Sequence, residues 1–249
     1  MIVLKSEAEI RKIAASGKIV ADILEQLKTF VAPGMTTADV EVFVDGEILK
    51  RKAIAAFKGY RGYPSSICIS LNAEVVHGIP SRSVRIRSGD LVSIDLGVLL
   101  QGYYGDAALT IPIGVVTDEA AELTAVTEQA LYAGVEQAVV GNRVSDISAA
   151  VQHYVESHGF SVVRAFVGHG IGRQLHEEPQ IPNYGKAGQG VRLKEGMTLA
   201  IEPMVNAGGP DVMILHDGWT AVTSDGRLSA HFEHTIAVTK SGPLILTKV

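Results

Sequence analysis

The sequence predicts an α+β fold made of two halves related by a pseudo-two-fold axis, each with helices packed on an antiparallel sheet. Three observations lead there. Helix-like periodicity and strand-like alternation come in separate blocks, as in α+β chains. The order helix, helix, strands occurs twice. Glycines and acids also repeat at a constant offset along the chain.

From about Glu7 to Phe30, Ile10, Ile13, Ile19, Ile23 and Leu27 keep helical intervals. Ala32-Pro33-Gly34 ends that helix, and a second begins near the capping residues Thr36 and Thr37. Strand-rich stretches follow at Ser66 to Leu71, Leu91 to Gly97 and Gly102 to Ile111, with Gly97 to Gly102 as a turn. A third helix covers about Asp118 to Val139 and stops at Gly141-Asn142, and a fourth spans Ser145 to His158. In FVGHGIGRQLHEEP, Phe166 to Pro179, the glycines Gly168, Gly170 and Gly172 oppose regular structure. That segment reads as a loop presenting His169 and His176. Strands return at Leu199 to Val205, Thr220 to Val222 and His231 to Val238.

Spacing points to an internal duplication. Gly34 stands five residues before Asp39, as Gly141 does before Asp146. Gly89 stands six before Asp95 in GDLVSID, as Gly196 does before Glu202 in GMTLAIE. Both glycine pairs are offset by 107 (141 − 34 and 196 − 89). His77 and His176 each precede a proline by three residues. Residues 1–249 thus read as one domain with half-repeats of about 1–115 and 116–249.

The totals exclude several classes. At 249 residues and 47% hydrophobic, the chain can bury a sizeable core. A net charge of -5, with only Lys50, Arg51 and Lys52 as a basic patch, argues against a nucleic-acid or membrane footprint. No apolar run is long enough to span a bilayer, and the N-terminus lacks the apolar region of a signal peptide. Cys68 is the only cysteine, which excludes an intrachain disulfide and fits a reducing, cytoplasmic location.

The strands carry an electrostatic problem. In LVSIDLG, alternation puts Ser93, Asp95 and Gly97 on one face and Val92, Ile94 and Leu96 on the other. Asp106 follows on the next strand. Ala200 and Glu202 share a face, as do His231, Glu233 and Thr235. Four acids in otherwise buried strands are costly unless cations sit between them. One alternative is pairing with Arg164, Arg173 or Arg192, or exposure to water. Matching positions in the two halves favour two divalent cations with His169 as a nitrogen ligand. An oxygen-rich set with one imidazole suits Mn, Fe or Co better than a thiolate-held structural Zn.

FVGHGIGRQLHEEPQIPNY resembles the signature stretch of type I methionine aminopeptidases, and His77, Asp95, Asp106, His169, His176, Glu202 and Glu233 follow in the same order. The resemblance covers nearly the whole chain. HGIP, GYRGYPSSICIS and the short interval from His176 to Glu202 are similar to type I enzymes rather than type II or Xaa-Pro peptidases. Val76 departs from the cysteine that many bacterial relatives carry. The family implies a "pita-bread" fold and a cofactor of two divalent metal cations (Co, Mn, Fe or Zn). Asp95 would hold one metal, His169 and Glu202 the other, with Asp106 and Glu233 bridging.

The same resemblance implies hydrolysis of the first peptide bond. Glu202 would act as general base, and His77 and His176 would face the substrate. Tyr60, Tyr63, Cys68, Phe166 and Trp219 would line the methionine side-chain pocket, though each also suits an ordinary core. Cys68 lacks an adjacent base and is a poor candidate nucleophile. Asn72 and Ser229 resemble a structural monovalent-cation site of relatives. His234 reads as packing or support, and His153, His158 and His216 as surface residues. The implied partners are N-terminal methionines of peptides and nascent chains, with transient ribosome contact and a monomeric state. The alternatives are an Xaa-Pro peptidase of the same fold, or a metal-free binding protein that kept it.

Overall fold

A computed structural model describes residues 2–248 of the chain. Helices α1 (Glu7–Phe30) and α2 (Thr37–Lys50) precede strands β1 (Ile54–Ala55), β2 (Cys68–Leu71), β3 (Glu74–Val76), β4 (Leu91–Leu100) and β5 (Tyr103–Pro112). Helices α3 (Asp118–Glu136) and α4 (Val144–Ser157) then precede β6 (Ser161–Val162), β7 (Val167–Gly170), β8 (Glu177–Pro182), β9 (Thr198–Ile201) and β10 (Met204–Asn206). The chain closes with β11 (Val212–Ile214), β12 (Ala221–Thr223), β13 (Ser229–His231), β14 (Glu233–Thr239) and β15 (Gly242–Ile245).

The helices start where side chains can satisfy their free backbone N–H groups. Ser6 and Glu9 cap α1 reciprocally, and Thr36 and Asp39 cap α2. One sheet of nine strands runs β1-β4-β5-β14-β9-β7-β8, with β15 added on β14 and β2 on β4. Two three-stranded sheets, β13-β10-β6 and β11-β12-β3, flank it. Every strand pairing is antiparallel.

The large sheet has two unlike faces. Ile94, Leu96, Val98, Leu109, Ile201 and Ile236 join Val20, Ile23, Leu24 and Leu27 of α1 in the main core. Each such fully buried aliphatic side chain contributes about 1.5–3 kcal/mol. The opposite face carries the acids.

Four sequence expectations need correction. The strand expected to stop at Gly97 runs on to Leu100, and the turn falls at Gln101-Gly102, both with positive φ. Leu199 to Val205 is two strands, because Pro203 cannot donate to a ladder and the chain passes to another sheet. His231 to Val238 is likewise divided at Phe232. The glycine-rich segment is not all loop: its arms are β7 and β8. A Cβ at Gly168 would lie 2.4 Å from the Ala200 carbonyl oxygen, and one at Gly170 2.3 Å from that of Glu178. The glycines admit close backbone packing.

Candidate metal centre

Register explains how distant residues reach one place. Cys68, Asp95, Ala108 and Glu233 form a row across β2, β4, β5 and β14. Asp106 lies two residues from Ala108 on the same face, opposite Gly97. His169, Ala200 and Thr235 form a second row, and Glu202 follows Ala200 by two. The two-residue period puts all five candidate ligands on one face. Ligand atoms of Asp106, His169 and Glu233 all lie within 4.8 Å of one another. Glu202 and Glu233 sit where the chain crosses between sheets, so both carboxylates stand at the seam.

Backbone contacts hold these side chains. The Thr235 hydroxyl donates to the Asp106 carbonyl oxygen at 2.7 Å and accepts from its N–H at 3.1 Å. The Asn183 amide donates to the Glu202 carbonyl oxygen at 2.9 Å. Gly97 supplies room: a Cβ there would lie 2.8 Å from the Phe57 ring and 3.2 Å from Asp106 Oδ1.

Burial pushes the carboxyls of Asp95, Asp106, Glu202 and Glu233 above their usual range, and the charge of Asp106 adds to this for the other three. The arginines available by sequence are engaged elsewhere. Arg173 pairs with Glu9 at 3.5 Å, Arg164 lies 5.3 Å from the Tyr184 ring centre, and Arg192 donates to the Gly141 carbonyl oxygen at 3.1 Å. Asp95 Oδ1, Asp106 Oδ1 and Glu233 Oε1 are sealed from solvent without a hydrogen-bond partner. Native proteins seldom leave such groups unanswered.

His169 completes the set. Burial pushes its pKa down to about 4, so the ring is neutral at ordinary pH. Its Nδ1 lies 2.8 Å from the Gly170 carbonyl oxygen, which places the proton on that nitrogen. The Nε2 lone pair is then 3.5 Å from Glu202 Oε1. A lone pair facing a charged carboxylate is repulsive, and either a proton on the carboxyl or a cation between the two removes that repulsion. The donor set fits divalent cations.

A cavity of about 150 Å³ adjoins the acids. Tyr60, Tyr63, Cys68 and Trp219 line it, together with His77 and His176. Phe166 does not. It packs on the cluster of Val75, Val76, Val163, Met204 and Ala221 and stands edge-on to His77 at 5.3 Å. Phe57, Leu175 and Arg61 line the cavity instead and were not singled out by sequence. Their types carried no signal, since an apolar residue in a pocket looks like one in a core. The Tyr63 hydroxyl donates to the Gly78 carbonyl oxygen at 2.9 Å. Burial pushes the Cys68 thiol well up, which disfavours the thiolate a nucleophile needs. His77 holds a left-handed backbone, φ +63°, at the cavity edge. His176 is stacked on Tyr60 at 5.2 Å with its Nδ1 2.9 Å from the phenol oxygen.

His153, His158 and His216 are exposed as expected, and His234 is half-buried, its Nδ1 2.9 Å from the Thr247 hydroxyl. The Asn72 backbone carbonyl accepts from the Ser229 N–H at 2.8 Å.

Buried acids and one neutral imidazole on a sheet face, beside a cavity of about 150 Å³, define a metal-dependent hydrolase. Comparison with known proteins agrees: the model of Metallopeptidase family M24 matches residues 11–240. The chain belongs to that family. It is 51% identical over 249 residues to methionine aminopeptidase 1 of Bacillus subtilis, covering 100% of both chains. It is similar to the crystal structure of methionine aminopeptidase from Thermotoga maritima, with a TM-score of 0.99 and 48% identity over 100% of both chains. The prolidase from Pyrococcus furiosus is more distant, with a TM-score of 0.81 and 25% identity, and this chain covers 66% of it. The fold is therefore the pita-bread fold, and membership of a metallopeptidase family implies use of divalent metal. Among the described residues, no helix is long and apolar enough to cross a membrane.

Proposed function

We propose that this chain removes the N-terminal methionine from peptides and nascent proteins by hydrolysing the first peptide bond. The observation that carries this reading is the adjacency of buried carboxyl oxygens without partners to a cavity of about 150 Å³ walled by Tyr63, Leu175 and Trp219. An unbranched thioether side chain suits such a slot. The identity of the full-length relatives supports the same substrate.

Asp95, Asp106, His169, Glu202 and Glu233 would hold two divalent cations. When bound, the cations supply a water acidified toward neutral pH and positive charge for the developing oxyanion. The chain's own residues do the rest. Glu202 takes the proton of the attacking water and passes it toward the leaving nitrogen. His176, oriented through its Nδ1 by Tyr60, offers Nε2 to the scissile carbonyl oxygen. His77 stands near the scissile nitrogen. Tyr63 and Trp219, edge to face at 5.2 Å, close the pocket to longer and bulkier side chains. A cytoplasmic location, a monomeric state and transient contact with ribosomes belong to this reading.

The test is hydrolysis of Met-Ala-Ser and of an Xaa-Pro peptide by metal-stripped protein reloaded separately with Mn, Co, Fe or Zn. Release of methionine from the first peptide, with little from the second, is expected. Preference for the Xaa-Pro peptide would overturn the assignment, and activity undiminished by chelation would overturn the metal site.

A further inference from the structure

Arg61 stands where two cavities meet. The cavity of about 150 Å³ beside the acids and a larger cleft of about 620 Å³ share three residues: Arg61, His169 and His176. In the aminopeptidase reading, the first residue of the substrate sits in the smaller pocket beside the acids. The rest of the polypeptide must leave past the histidines, and the larger cleft continues from them. An extended chain advances roughly 3.3–3.6 Å per residue. With the second residue at the scissile bond, the third is the first to reach the cleft mouth.

Other cations of the cleft are already matched. Lys5 is ion-paired with Glu177, and Arg173 with Glu9 at 3.5 Å. Among the described residues Arg61 makes no ion pair, although its guanidinium carbon lies 5.4 Å from the Tyr60 ring centre. Glu178 is also unmatched, but it lines only the larger cleft and not the pocket beside the acids. The first free charge that a departing chain meets is therefore positive. The backbone holds Arg61 there at a cost: its φ is +50°, between Gly59 at +84° and Gly62 at +92°. Left-handed non-glycine residues of this kind cluster at ligand clamps.

We propose that Arg61 is a specificity-determining residue that favours an acidic side chain at the third position of the substrate. The contact is a charge-assisted hydrogen bond from the guanidinium to the substrate carboxylate. This rests on the aminopeptidase reading above and refines its substrate class.

The test measures kcat and KM on Met-Ala-Glu-Ser, Met-Ala-Gln-Ser and Met-Ala-Lys-Ser. All three carry C-terminal amides, so that the terminal carboxylate cannot reach Arg61. The wild type should show a KM for the glutamate peptide about two- to fivefold below that for the glutamine peptide, a size set by solvent screening of an exposed cation. About 0.5 M sodium chloride should erode the difference. Arg61→Gln should bring the ratio of KM for the glutamate and glutamine peptides to about one, and Arg61→Lys should retain part of the preference. A KM rise of equal size for all three peptides in Arg61→Gln would mean that Arg61 only shapes the pocket, and would overturn the inference. So would hydrolysis without acidic preference in the wild type, which leaves methionine removal standing. Failure to hydrolyse every methionyl peptide in all four metals would overturn the underlying reading and this inference with it.

Discussion

His169 Nε2 and Glu202 Oε1 face each other at 3.5 Å while the other ring nitrogen is committed to the Gly170 carbonyl oxygen. That geometry fixes the tautomer, so the histidine offers a lone pair and not a proton to the carboxylate. The pair makes sense as two ligands of one cation. It also separates two tasks for Glu202, ligand and proton carrier. Replacing Glu202 by Gln keeps one oxygen donor but removes the base, so turnover of Met-Ala-Ser should fall at least about 100-fold. Bound metal should be measured on the same sample. Near-normal turnover would remove Glu202 from proton transfer.

The carboxylate cluster sets stability against metal affinity. Four acids pressed together without cations repel, so the metal-free protein should be strained by its own site. Glu233, 2% exposed and with Oε1 unpaired, is the cleanest position at which to relieve this. Glu233→Gln should raise the melting temperature of chelated protein by about 2–4 °C for each kcal/mol relieved. If Glu233 holds metal as proposed, the same variant should gain less on adding Mn or Co, because one carboxylate charge is gone. A lower melting temperature of the chelated variant would mean that protein groups, not cations, answer Glu233.

Much of this was legible in the chain. The bounds of α1 could be read because apolar residues at helical intervals begin just after Glu7 and Ala32-Pro33-Gly34 stops them. The acids could be read because strand alternation and burial together make an unpaired carboxylate conspicuous. Features that depend on what lies across the fold were hidden. The strands flanking His169 were masked by glycines whose purpose is approach to the Ala200 and Glu178 backbones. Leu175 and Phe57 carry no mark that distinguishes a pocket wall from a core. Arg61 looks like any loop arginine until its neighbours are found to have chosen other partners.

Gly97 tests how closely the sheet is fitted to the site. Its neighbours on both sides are fixed: the Phe57 ring would be 2.8 Å, the Ala56 Cβ 3.0 Å and Asp106 Oδ1 3.2 Å from an added Cβ. None is the free end of a flexible surface side chain. Gly97→Ala should destabilise by about 1–3 kcal/mol through overpacking. It should also weaken metal binding, read by calorimetric titration with Mn, because Asp106 must move. Unchanged metal affinity with lowered stability would show that the strain is absorbed entirely on the Phe57 side.

Glu9 gives the pH dependence of the scaffold. Its carboxylate accepts from the Ser6 N–H at 3.0 Å, the Ser6 hydroxyl at 2.9 Å and the Tyr103 hydroxyl at 2.7 Å. The Ser6 backbone bond contributes most, and together these pull the pKa from 4.5 down to about 2. A folded pKa below the unfolded one means that the ionised form is stabilised by folding. The contribution is present above about pH 4.5 and lost as pH falls toward 2. Glu9→Gln mimics the protonated state and should cost about 0.5–2 kcal/mol near neutral pH, the scale of a helix cap. Denaturant midpoints of the two proteins should converge between pH 4.5 and 2 as the wild type loses what the variant never had. A gap that stays constant across that range would show that Glu9 acts through packing on Tyr103 rather than through its charge.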